Sequence, residues 1–451
     1  MTMKLEPRND IPDTAVEIPV EAYVSPEYAR AEKANLWDKV WQIACREEDI
    51  PGVGDFYTYD ILDNSAIVVR SAPDTISAFY NTCRHRGRRL TNGCGNTEKF
   101  RCQYHAWQWH LNGENAHIPR REHWGDQLRD EDVRLGPVKV GTWGGFVWVN
   151  FDPDCEPLEA YLATMPHWVD PFRMEEMRYK WRRWTYLDCN WKVILEAFIE
   201  TYHAPIIHPQ NRQFSRGLGW TRGEGLHSCM GTLGREGSAS VGMSVDETVA
   251  KDFRKVAIYT VNLFNDTMGA LTTDRQIAAA DQLLELLPET APPGEVSATL
   301  SQLAREMDRE RGVIWPEVDN DHIRDTGFNW HAFPNSLIQP GLDCGLYIRV
   351  RPNGYDPDSC IFEVFALERF PEGEELATDY VFEPELSEEK WGLLFVQDFD
   401  NLPDVQRGMK CSGPQAVRPN PVMEKTIINF HRNLARYMGQ GTPKPMPGAT
   451  A

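Results

Sequence analysis

The feature that most constrains this chain is a pair of short cysteine–histidine motifs. Cys83 and His85 form a Cys-x-His pair, Cys102 and His105 form a Cys-x-x-His pair, and residues 86–101 separate them. Two thiolates and two imidazoles in two short loops can hold one [2Fe–2S] cluster, with the cysteines on one iron and the histidines on the other. Because a neutral imidazole donates less charge than a thiolate, such a cluster has a raised reduction potential and passes single electrons.

A structural zinc site is the main alternative, because two cysteines and two histidines are also a zinc ligand set. Zinc sites favour Cys–Cys and His–His pairs, whereas each pair here mixes one cysteine with one histidine, which favours the iron–sulfur cluster. Gly87 permits a close backbone approach to the cluster. The backbone N–H groups and the Tyr104 hydroxyl are expected to hydrogen-bond its sulfur atoms. Cys94 lies between the two loops, and we do not expect it to be a ligand.

A second motif contains Glu196, Glu200, His203 and His208. The spacing of the first three predicts that they share one face of a helix. Pro205 predicts a break in that helix, which brings His208 back beside His203. Two histidines and one carboxylate form the facial triad of a non-heme Fe(II) oxygenase, which leaves coordination positions open for O₂. Ordinary core histidines are the alternative, and the proline and the upstream cysteine–histidine motifs argue against it.

The segments Cys83–Gly87 and Cys102–His105, together with the second motif, resemble the large catalytic α subunit of Rieske non-heme iron ring-hydroxylating oxygenases. The resemblance implies an α+β fold, in which a small all-β Rieske [2Fe–2S] domain accompanies a larger catalytic domain. The catalytic domain is expected to be a curved antiparallel sheet surrounded by helices, of the helix-grip or START-like kind. Two cofactors are implied, the Rieske cluster and a mononuclear Fe(II) on His203, His208 and one carboxylate.

The resemblance places that carboxylate near the C-terminus. Val396–Asn401, followed by Gln406–Gly408, looks like the carboxylate motif of the family, and counting back from the latter segment gives Asp398 as the ligand. Asp400 is the second candidate and Asp404 the third. An acidic helix start is the competing interpretation, because Asp is favoured at helix N-termini.

Glu200 departs from the common family pattern, which has Asp three positions before the first histidine. In the family this carboxylate joins an iron-ligand histidine of one subunit to a Rieske-ligand histidine of the next. The resemblance therefore implies a catalytic role for Glu200, linking His203 to His105 of a neighbouring subunit. Glu can still accept hydrogen bonds from two imidazoles. A minority of the family, including oxygenases of quaternary amines, looks similar here, so the substrate need not be an arene. The alternative interpretation of Glu200 is a solvated helix residue.

The implied function is that of a terminal oxygenase. It would use O₂ and electrons from NAD(P)H to hydroxylate or dihydroxylate an aromatic or other hydrophobic substrate, as in aromatic hydrocarbon catabolism. A monooxygenase or demethylase of a non-arene such as a quaternary amine is the alternative, and a pure electron-transfer protein is a third. The chain lacks a G-x-G-x-x-G fingerprint, so the reductase, with or without a ferredoxin, must be separate. A homotrimer is expected, either α₃ or α₃β₃ with a small β subunit.

These anchors predict three regions: residues 1–44 as an N-terminal arm and a helix packing on the catalytic domain, 45–155 as the Rieske domain, and 156–451 as the catalytic domain with an irregular insert at 210–330. Ser25 as N-cap and Pro26 at the first helical position predict a helix over 26–44. Alternating and apolar runs predict strands at 66–69, 76–80, 337–338, 346–350 and 360–365, and helical spacing predicts helices at 275–287, 295–311 and 422–438.

Composition adds limits to the partners. The chain of 451 residues has a formal net charge of −20, which argues against nucleic-acid binding and favours a basic patch on a redox partner. No apolar run is long enough to span a membrane, and the N-terminus lacks a signal-peptide core. The eight cysteines outside the motifs are scattered, as expected of reduced thiols in the cytoplasm. Candidate pocket residues near the iron are Phe198, Ile199, Ile206 and Phe333.

Overall fold

The computed structural model describes residues 11–213, 219–232, 251–413, 416–440 and 443–446. Within them the strands are β1 (Val16–Pro19), β2 (Gln42–Arg46), β3 (Asp55–Ile61), β4 (Asn64–Ala72), β5 (Thr75–Tyr80), β6 (Cys94–Asn96), β7 (Phe100–Arg101), β8 (Gln108–Trp109), β9 (Asn115–His117), β10 (Lys139–Trp143), β11 (Phe146–Asn150), β12 (Arg178–Leu187), β13 (Gly219–Glu224), β14 (His227–Thr232), β15 (Asn329–Ala332), β16 (Ser336–Gln339), β17 (Cys344–Pro352), β18 (Cys360–Glu368), β19 (Tyr380–Phe382), β20 (Ala416–Val417) and β21 (Lys444–Pro445). The α-helices are α1 (Glu21–Val24), α2 (Pro26–Glu32), α3 (Asp130–Val133), α4 (Leu158–Leu162), α5 (Met165–Val169), α6 (Trp191–Phe198), α7 (Ala204–Ile207), α8 (Phe253–Met268), α9 (Asp274–Leu286), α10 (Pro293–Glu310), α11 (Asn320–Thr326), α12 (Glu388–Trp391), α13 (Leu393–Met409) and α14 (Lys425–Tyr437).

The chain divides into two compact units. The small unit is residues 31–161, and the large unit is residues 1–30 together with 162–451. The boundaries predicted at 44/45 and 155/156 differ from these, because both fall within the small unit. Strand β2 crosses the first predicted boundary and pairs with β11, and the Trp41 indole N–H donates to the Glu156 carbonyl at 2.9 Å beyond the second.

The small unit consists mainly of short strands in three sheets, with orders β10-β11-β2, β5-β4-β3-β6 and β7-β8-β9. Its central strand β4 carries the run Ala66–Val69, which is fully buried, as a β-branched segment covered on both faces should be. The strands predicted at 66–69 and 76–80 are thus confirmed. So is the all-β character of the unit.

The two motif cysteines belong to the core of this unit. Cys83 and Cys102 pack in one hydrophobic cluster with Ile67, Phe100 and Trp107, among others. A thiol buried among apolar side chains sits in a low-dielectric environment. The sulfur atoms of both motif cysteines therefore lie within the core of the small unit.

The large unit is built on an eight-stranded sheet with the order β13-β14-β15-β16-β17-β18-β12-β19. Neighbouring strands are antiparallel except β12 and β19, which are parallel. A second, three-stranded sheet has the order β20-β1-β21. The α+β fold class is confirmed, as are the predicted strands, which lie within β16, β17 and β18. The parallel edge pair makes the sheet mixed rather than purely antiparallel.

Residues 210–330 differ from the irregular insert that the sequence predicted. Strands β13 and β14 extend the central sheet at one end, and α8, α9 and α10 share an apolar core around Val261, Leu283 and Val296. The predicted helices at 275–287 and 295–311 are confirmed as α9 and α10. Strand β13 pairs with β14, and β14 pairs with β15, so these segments become strands through hydrogen bonds to partners that local sequence does not reveal. Residues 214–218 and 233–250 lie outside the described residues.

The helix predicted over 26–44 is wrong in its extent. Ser25 caps it, since the hydroxyl accepts from the Tyr28 N–H at 3.1 Å, but α2 ends at Glu32. A five-residue π-helix at Lys33–Trp37 follows, and the chain then enters β2. Pairing of β2 with β11 overrides the helical spacing of the apolar residues. The helix predicted at 422–438 is confirmed as α14, and no helix in the described ranges has the length and apolar character to cross a bilayer.

Candidate metal centres

The two cysteine–histidine loops of the small unit repeat one backbone turn. The Cys83 N–H donates to the Arg88 carbonyl and the Cys102 N–H to the Trp107 carbonyl, each at 2.8 Å. The N–H groups of Gly87 and Ala106 return to the carbonyls of their own cysteines at 2.9 and 3.0 Å. The two loops therefore present their cysteines and histidines in matching ways, although their Cys–His spacings differ by one residue.

The four motif side chains converge. The Nδ1 atoms of His85 and His105 lie 3.1 Å apart, and Cys83 and Cys102 are near enough for their thiols to interact. Both cysteines are buried, whereas both histidines are partly exposed. Sulfur lies on the inner side and imidazole on the outer side, so this donor set fits a [2Fe–2S] cluster whose histidine-bound iron faces outward.

The electrostatics of the two thiols differ. Burial raises the pKa of Cys83. Burial is also the largest single effect on Cys102, but hydrogen bonds from the backbone N–H groups of Tyr104 and His105, together with Cys83 and the charge of Arg88, lower the pKa of that thiol overall. The Tyr104 N–H is 3.4 Å from Cys102 Sγ. Backbone donors thus favour the thiolate form that a cluster requires.

The hydrogen bond predicted from the Tyr104 hydroxyl to a cluster sulfur stays a prediction. This hydroxyl accepts from Arg86 at 3.3 Å, and Tyr104 is 56% exposed. Trp107 was not predicted to be part of this site, yet it is buried and stacks on His85 with ring centroids 4.8 Å apart. Its position two residues after His105 was the available signal. Cys94 lies on β6 and is exposed, unlike the two buried motif cysteines.

The second site lies in the large unit. One ligand atom from each of His203, His208 and Asp398 lies within 4.8 Å of the others. Asp398 Oδ1 is 3.5 Å from His203 Nε2 and 3.4 Å from His208 Nε2. Asp400 is exposed on the other side of the same helix turn, and Asp404 pairs with Arg407 at the surface. The structure brings together the two predicted histidines and the first of the three candidate carboxylates.

The break between the two histidines differs from the predicted one. Helix α6 ends at Phe198, so Glu200 and His203 lie beyond it, and His203 is the N-cap of the one-turn helix α7. Pro205 is in the first turn of α7 and therefore begins a helix, because the first turn needs no N–H partner. His208 closes α7 at its C-cap. Both rings reach Asp398 from the two ends of this single turn.

Each histidine ring is hydrogen-bonded through Nδ1. His203 Nδ1 contacts the buried carboxylate of Glu200, which also accepts from the His203 N–H at 3.2 Å. His208 Nδ1 is 2.8 Å from Gln397 Oε1. With acceptors at both Nδ1 atoms, the two Nε2 lone pairs face Asp398, and this two-histidine, one-carboxylate set fits Fe(II). Burial works against a charged His203, but Glu200, together with the charges of Asp398 and Glu424, outweighs it and raises the pKa of that ring.

Glu196 does not share a face with the metal-site residues. It turns inward, where it accepts from the Tyr23 hydroxyl at 2.8 Å and lies 2.7 Å from His431 Nε2. Burial and the charges of Glu200 and Glu196 raise the pKa of Glu424 to about 7. The contacts of Glu196 with Tyr23 and His431 link α6 to α1 and α14.

The predicted pocket residues divide into three kinds. Phe198 packs on Phe362 and Phe395, with centroids 5.4 and 5.9 Å away. Ile199 and Phe333 are fully buried, the latter against Phe430 and Tyr437. Ile206 is 68% exposed. Phe333 is therefore a core residue, and Phe198 belongs to an aromatic cluster with Phe362 and Phe395.

The chain matches two family descriptions. Residues 173–440 match the ring hydroxylating alpha subunit (catalytic domain), and residues 40–135 match the Rieske [2Fe-2S] domain. The first match contains His203, His208 and Asp398, and the second contains both cysteine–histidine pairs.

Individual relatives agree with these descriptions. The oxygenase subunit of glycine betaine monooxygenase from Pseudomonas aeruginosa is 29% identical over 44% of this chain and 46% of its own length. The α subunit of biphenyl 2,3-dioxygenase from Rhodococcus jostii is 31% identical over 40% and 41%. The matched segments thus span less than half of either relative. A crystal structure of a quaternary ammonium Rieske monooxygenase with L-carnitine covers 94% of this chain and 96% of its own, with a TM-score of 0.62 and 18% identity. It shares the fold.

Proposed function

The chain belongs to the family of ring-hydroxylating α subunits, and from that premise we propose that it is the terminal oxygenase of a multicomponent system. It takes electrons from NAD(P)H through a separate reductase, with or without a ferredoxin, and uses them with O₂ to oxidise a small organic substrate. The observation that carries the proposal is the convergence of His203, His208 and Asp398 in a chain that also has a Rieske domain. A pure electron carrier needs no such second site.

The cofactors of this family are a Rieske [2Fe–2S] cluster and a mononuclear iron. Cys83, Cys102, His85 and His105 are the proposed ligands of the cluster. His203, His208 and Asp398 are the proposed ligands of the iron, which supplies the chemistry of O₂ activation when bound.

The protein residues position these groups. Glu200 fixes the His203 ring with its proton on Nδ1 and keeps Nε2 free. By resemblance, the same carboxylate also links His203 to His105 of the partner subunit in a trimer, either α₃ or α₃β₃. A head-to-tail bridge of this kind predicts a closed ring of subunits, and three is the number that the resemblance to the family implies. Unbridged thiols at all ten cysteines are consistent with work in the cytoplasm.

The substrate class has two candidates. Hydroxylation or dihydroxylation of an aromatic or other hydrophobic compound is the general proposal, in line with the biphenyl dioxygenase relative. Monooxygenation or demethylation of a quaternary amine is favoured by Glu200 in place of Asp and by the glycine betaine monooxygenase relative. Oxygen uptake with an arene set and a quaternary-amine set separates them, since only one class should give uptake matched by product.

Electron paramagnetic resonance with an iron count tests the proposal. Protein purified without oxygen and reduced with dithionite should give a Rieske signal of low average g and about three irons per chain. The His203→Ala/His208→Ala and Asp398→Asn variants should keep the signal and hold about two irons, whereas the matched control Asp400→Asn should keep the third. Two irons in every protein would favour the electron carrier, and zinc without a signal would overturn both sites.

A further inference from the structure

The two iron-site histidines are supported by different kinds of acceptor. His203 Nδ1 faces the carboxylate of Glu200, and His208 Nδ1 faces the carboxamide of Gln397. A carboxylate accepts through either oxygen, so its orientation does not matter. A carboxamide accepts through one end and donates through the other. The orientation of Gln397 therefore decides which nitrogen of His208 carries the proton.

The consequence for metal binding is direct. With Gln397 Oε1 toward the ring at 2.8 Å, the proton is on Nδ1 and the Nε2 lone pair is free, 3.4 Å from Asp398 Oδ1. If the amide turned over, its NH₂ group would donate to Nδ1. The ring proton would then sit on Nε2, and His208 could not be a ligand through that atom.

A second amide opposes reversal of Gln397 alone, because the two amides keep their mutual hydrogen bonds only if both turn over together. Gln210 Nε2 donates to Gln397 Oε1 at 2.8 Å, and Gln397 Nε2 donates back to Gln210 Oε1 at 3.2 Å. Both lone pairs of Gln397 Oε1 are then used, one by His208 and one by Gln210. The Gln210 backbone is itself fixed, because its carbonyl accepts from the Tyr259 hydroxyl on α8 at 2.8 Å.

We propose that Gln397 is a positioning residue that sets the tautomer of His208, and that Gln210 acts through it, so that this amide pair determines how tightly the mononuclear site holds iron. The inference rests on the proposed function, since it requires that His208 binds iron through Nε2. The proposal predicts a difference between the two histidines. The tautomer of His208 depends on Gln210, which lies beyond its acceptor Gln397, whereas the tautomer of His203 depends on its acceptor Glu200 alone.

Release of Fe(II) to a chelator such as ferrozine, measured without oxygen on the full-length protein, is the test. Gln397→Leu should weaken Fe(II) binding by roughly 10- to 100-fold, as loss of an outer partner of a metal-bound histidine does. Gln397→Glu should bind Fe(II) as tightly as the parent or more tightly, because a carboxylate accepts in both orientations. Far-ultraviolet circular dichroism and a thermal unfolding midpoint equal to those of the parent show that the large unit of each variant is folded.

The decisive comparison is Gln210→Leu in two backgrounds. In the parent it should weaken Fe(II) binding by roughly fivefold, the effect of one neutral hydrogen bond. In the Gln397→Glu background it should have no effect, since there is no amide left to orient. Asn401→Ala is the matched control: it removes a side-chain hydrogen bond to the Gln397 carbonyl, 2.8 Å long, without touching the amide, and should leave Fe(II) binding unchanged.

Two outcomes would overturn the inference alone. One is parent-like Fe(II) binding by Gln397→Leu while His203→Ala/His208→Ala loses its third iron. The other is an equal loss from Gln210→Leu in both backgrounds, which would mean that Gln210 acts by packing. If the double histidine variant kept all its iron, the proposed function would fail and this inference with it.

Discussion

At the scale of single residues, the two cluster loops place different residues, glycine and alanine, at the same left-handed backbone position. Gly87 and Ala106 each follow their cysteine by four positions and both have positive φ, +74° and +57°. A Cβ at Gly87 would meet no protein atom closer than Thr82 Oγ1 at 3.9 Å. The left-handed backbone, rather than crowding among protein atoms, is therefore the reason for glycine in the first loop, and the second loop carries the strain of an alanine.

Gly87→Ala should lower the free energy of unfolding of the small unit by roughly 1 kcal/mol, the cost of a left-handed alanine. Ala106→Gly should change it little, because relief of that strain is offset by roughly 0.5–1 kcal/mol of added freedom in the unfolded chain. Denaturant titration followed by the visible absorbance of the cluster measures both. Complete loss of the cluster in Gly87→Ala would show instead that the bound cluster fills the space beside Gly87.

Glu200 is the second residue whose chemistry can be isolated. Its carboxylate accepts from the backbone N–H groups of Tyr202 and His203 as well as from the His203 ring. Glu200→Gln places an NH₂ group against one of these donors and removes the charge that keeps the pKa of His203 raised. Turnover should fall by roughly 10- to 100-fold, with the Rieske signal retained.

Glu200→Asp is the graded comparison for this prediction. It keeps the charge and shortens the side chain by one methylene, so its turnover should lie between those of the parent and Glu200→Gln. Oxygen uptake with the identified substrate gives the rates, and the iron count shows whether binding changed. Equal rates in all three proteins would remove Glu200 from the catalytic machinery.

At the scale of elements, helix α13 is the part that places Gln397 and Asp398. Its N-cap is Gly392, with φ +83°. A Cβ at this position would lie 2.2 Å from the Thr267 carbonyl oxygen at the end of α8. The start of α13 is thus fixed by a close backbone approach between two helices, which only glycine permits.

Gly392→Ala should lower the free energy of unfolding by roughly 1–3 kcal/mol, since it combines a strained φ with overpacking. Because α13 would have to shift away from α8, we also expect weaker Fe(II) binding. Thermal unfolding and the chelator assay measure the two effects.

Gly408→Ala is the control within the same helix. A Cβ there meets nothing within 4 Å, so the substitution should raise stability by up to about 1 kcal/mol through helix propensity. It should leave the iron content unchanged. A similar loss from both substitutions would contradict the role assigned to the α8–α13 contact.

At the scale of the whole molecule, the large unit joins its helices to its sheet through buried charge. Asp343 precedes β17 and is fully buried, where it accepts from Gln276 Nε2 on α9 at 2.8 and 3.1 Å. Nearby, Arg275 pairs with Asp308 at 2.9 Å and with Glu368. Burial, and then repulsion from Asp308 and Glu368, raises the pKa of Asp343 to about 7.

The stability of this unit should consequently depend on pH. The folded chain keeps the Asp343 proton up to about pH 7, while the unfolded chain releases it near the ordinary value of 3.8. The folded state binds more protons between these values, so the contribution of Asp343 falls as pH rises, by about 1.4 kcal/mol per unit. Denaturant titrations at several pH values should show that Asp343→Asn, which cannot ionise, loses less stability than the parent between pH 5 and 7. Parallel curves would mean that Asp343 stays charged throughout.

The sequence by itself indicated the chemistry proposed for both sites, and its resemblance to a known family implied the class of the fold. Local spacing is enough to single out Cys83, His85, Cys102 and His105, because both partners of each pair lie on one short loop. The same holds for His203 and His208. Strands such as β4 and β17 and the amphipathic helices α9, α10 and α14 also follow from periodicity, which local backbone geometry imposes on any buried face.

Only the tertiary structure decided which distant groups meet. Asp398 rather than Asp400 faces the histidines because the packing of α13 fixes which of its sides is buried, and Gln397 becomes a partner of His208 for the same reason. Pairing with β11 places residues 42–44, which were predicted as helix, in strand β2, and the pairing of β13 with β14 and of β14 with β15 makes strands of both segments. In each case the deciding interaction joins residues far apart in the chain, so its free energy has no counterpart in local sequence.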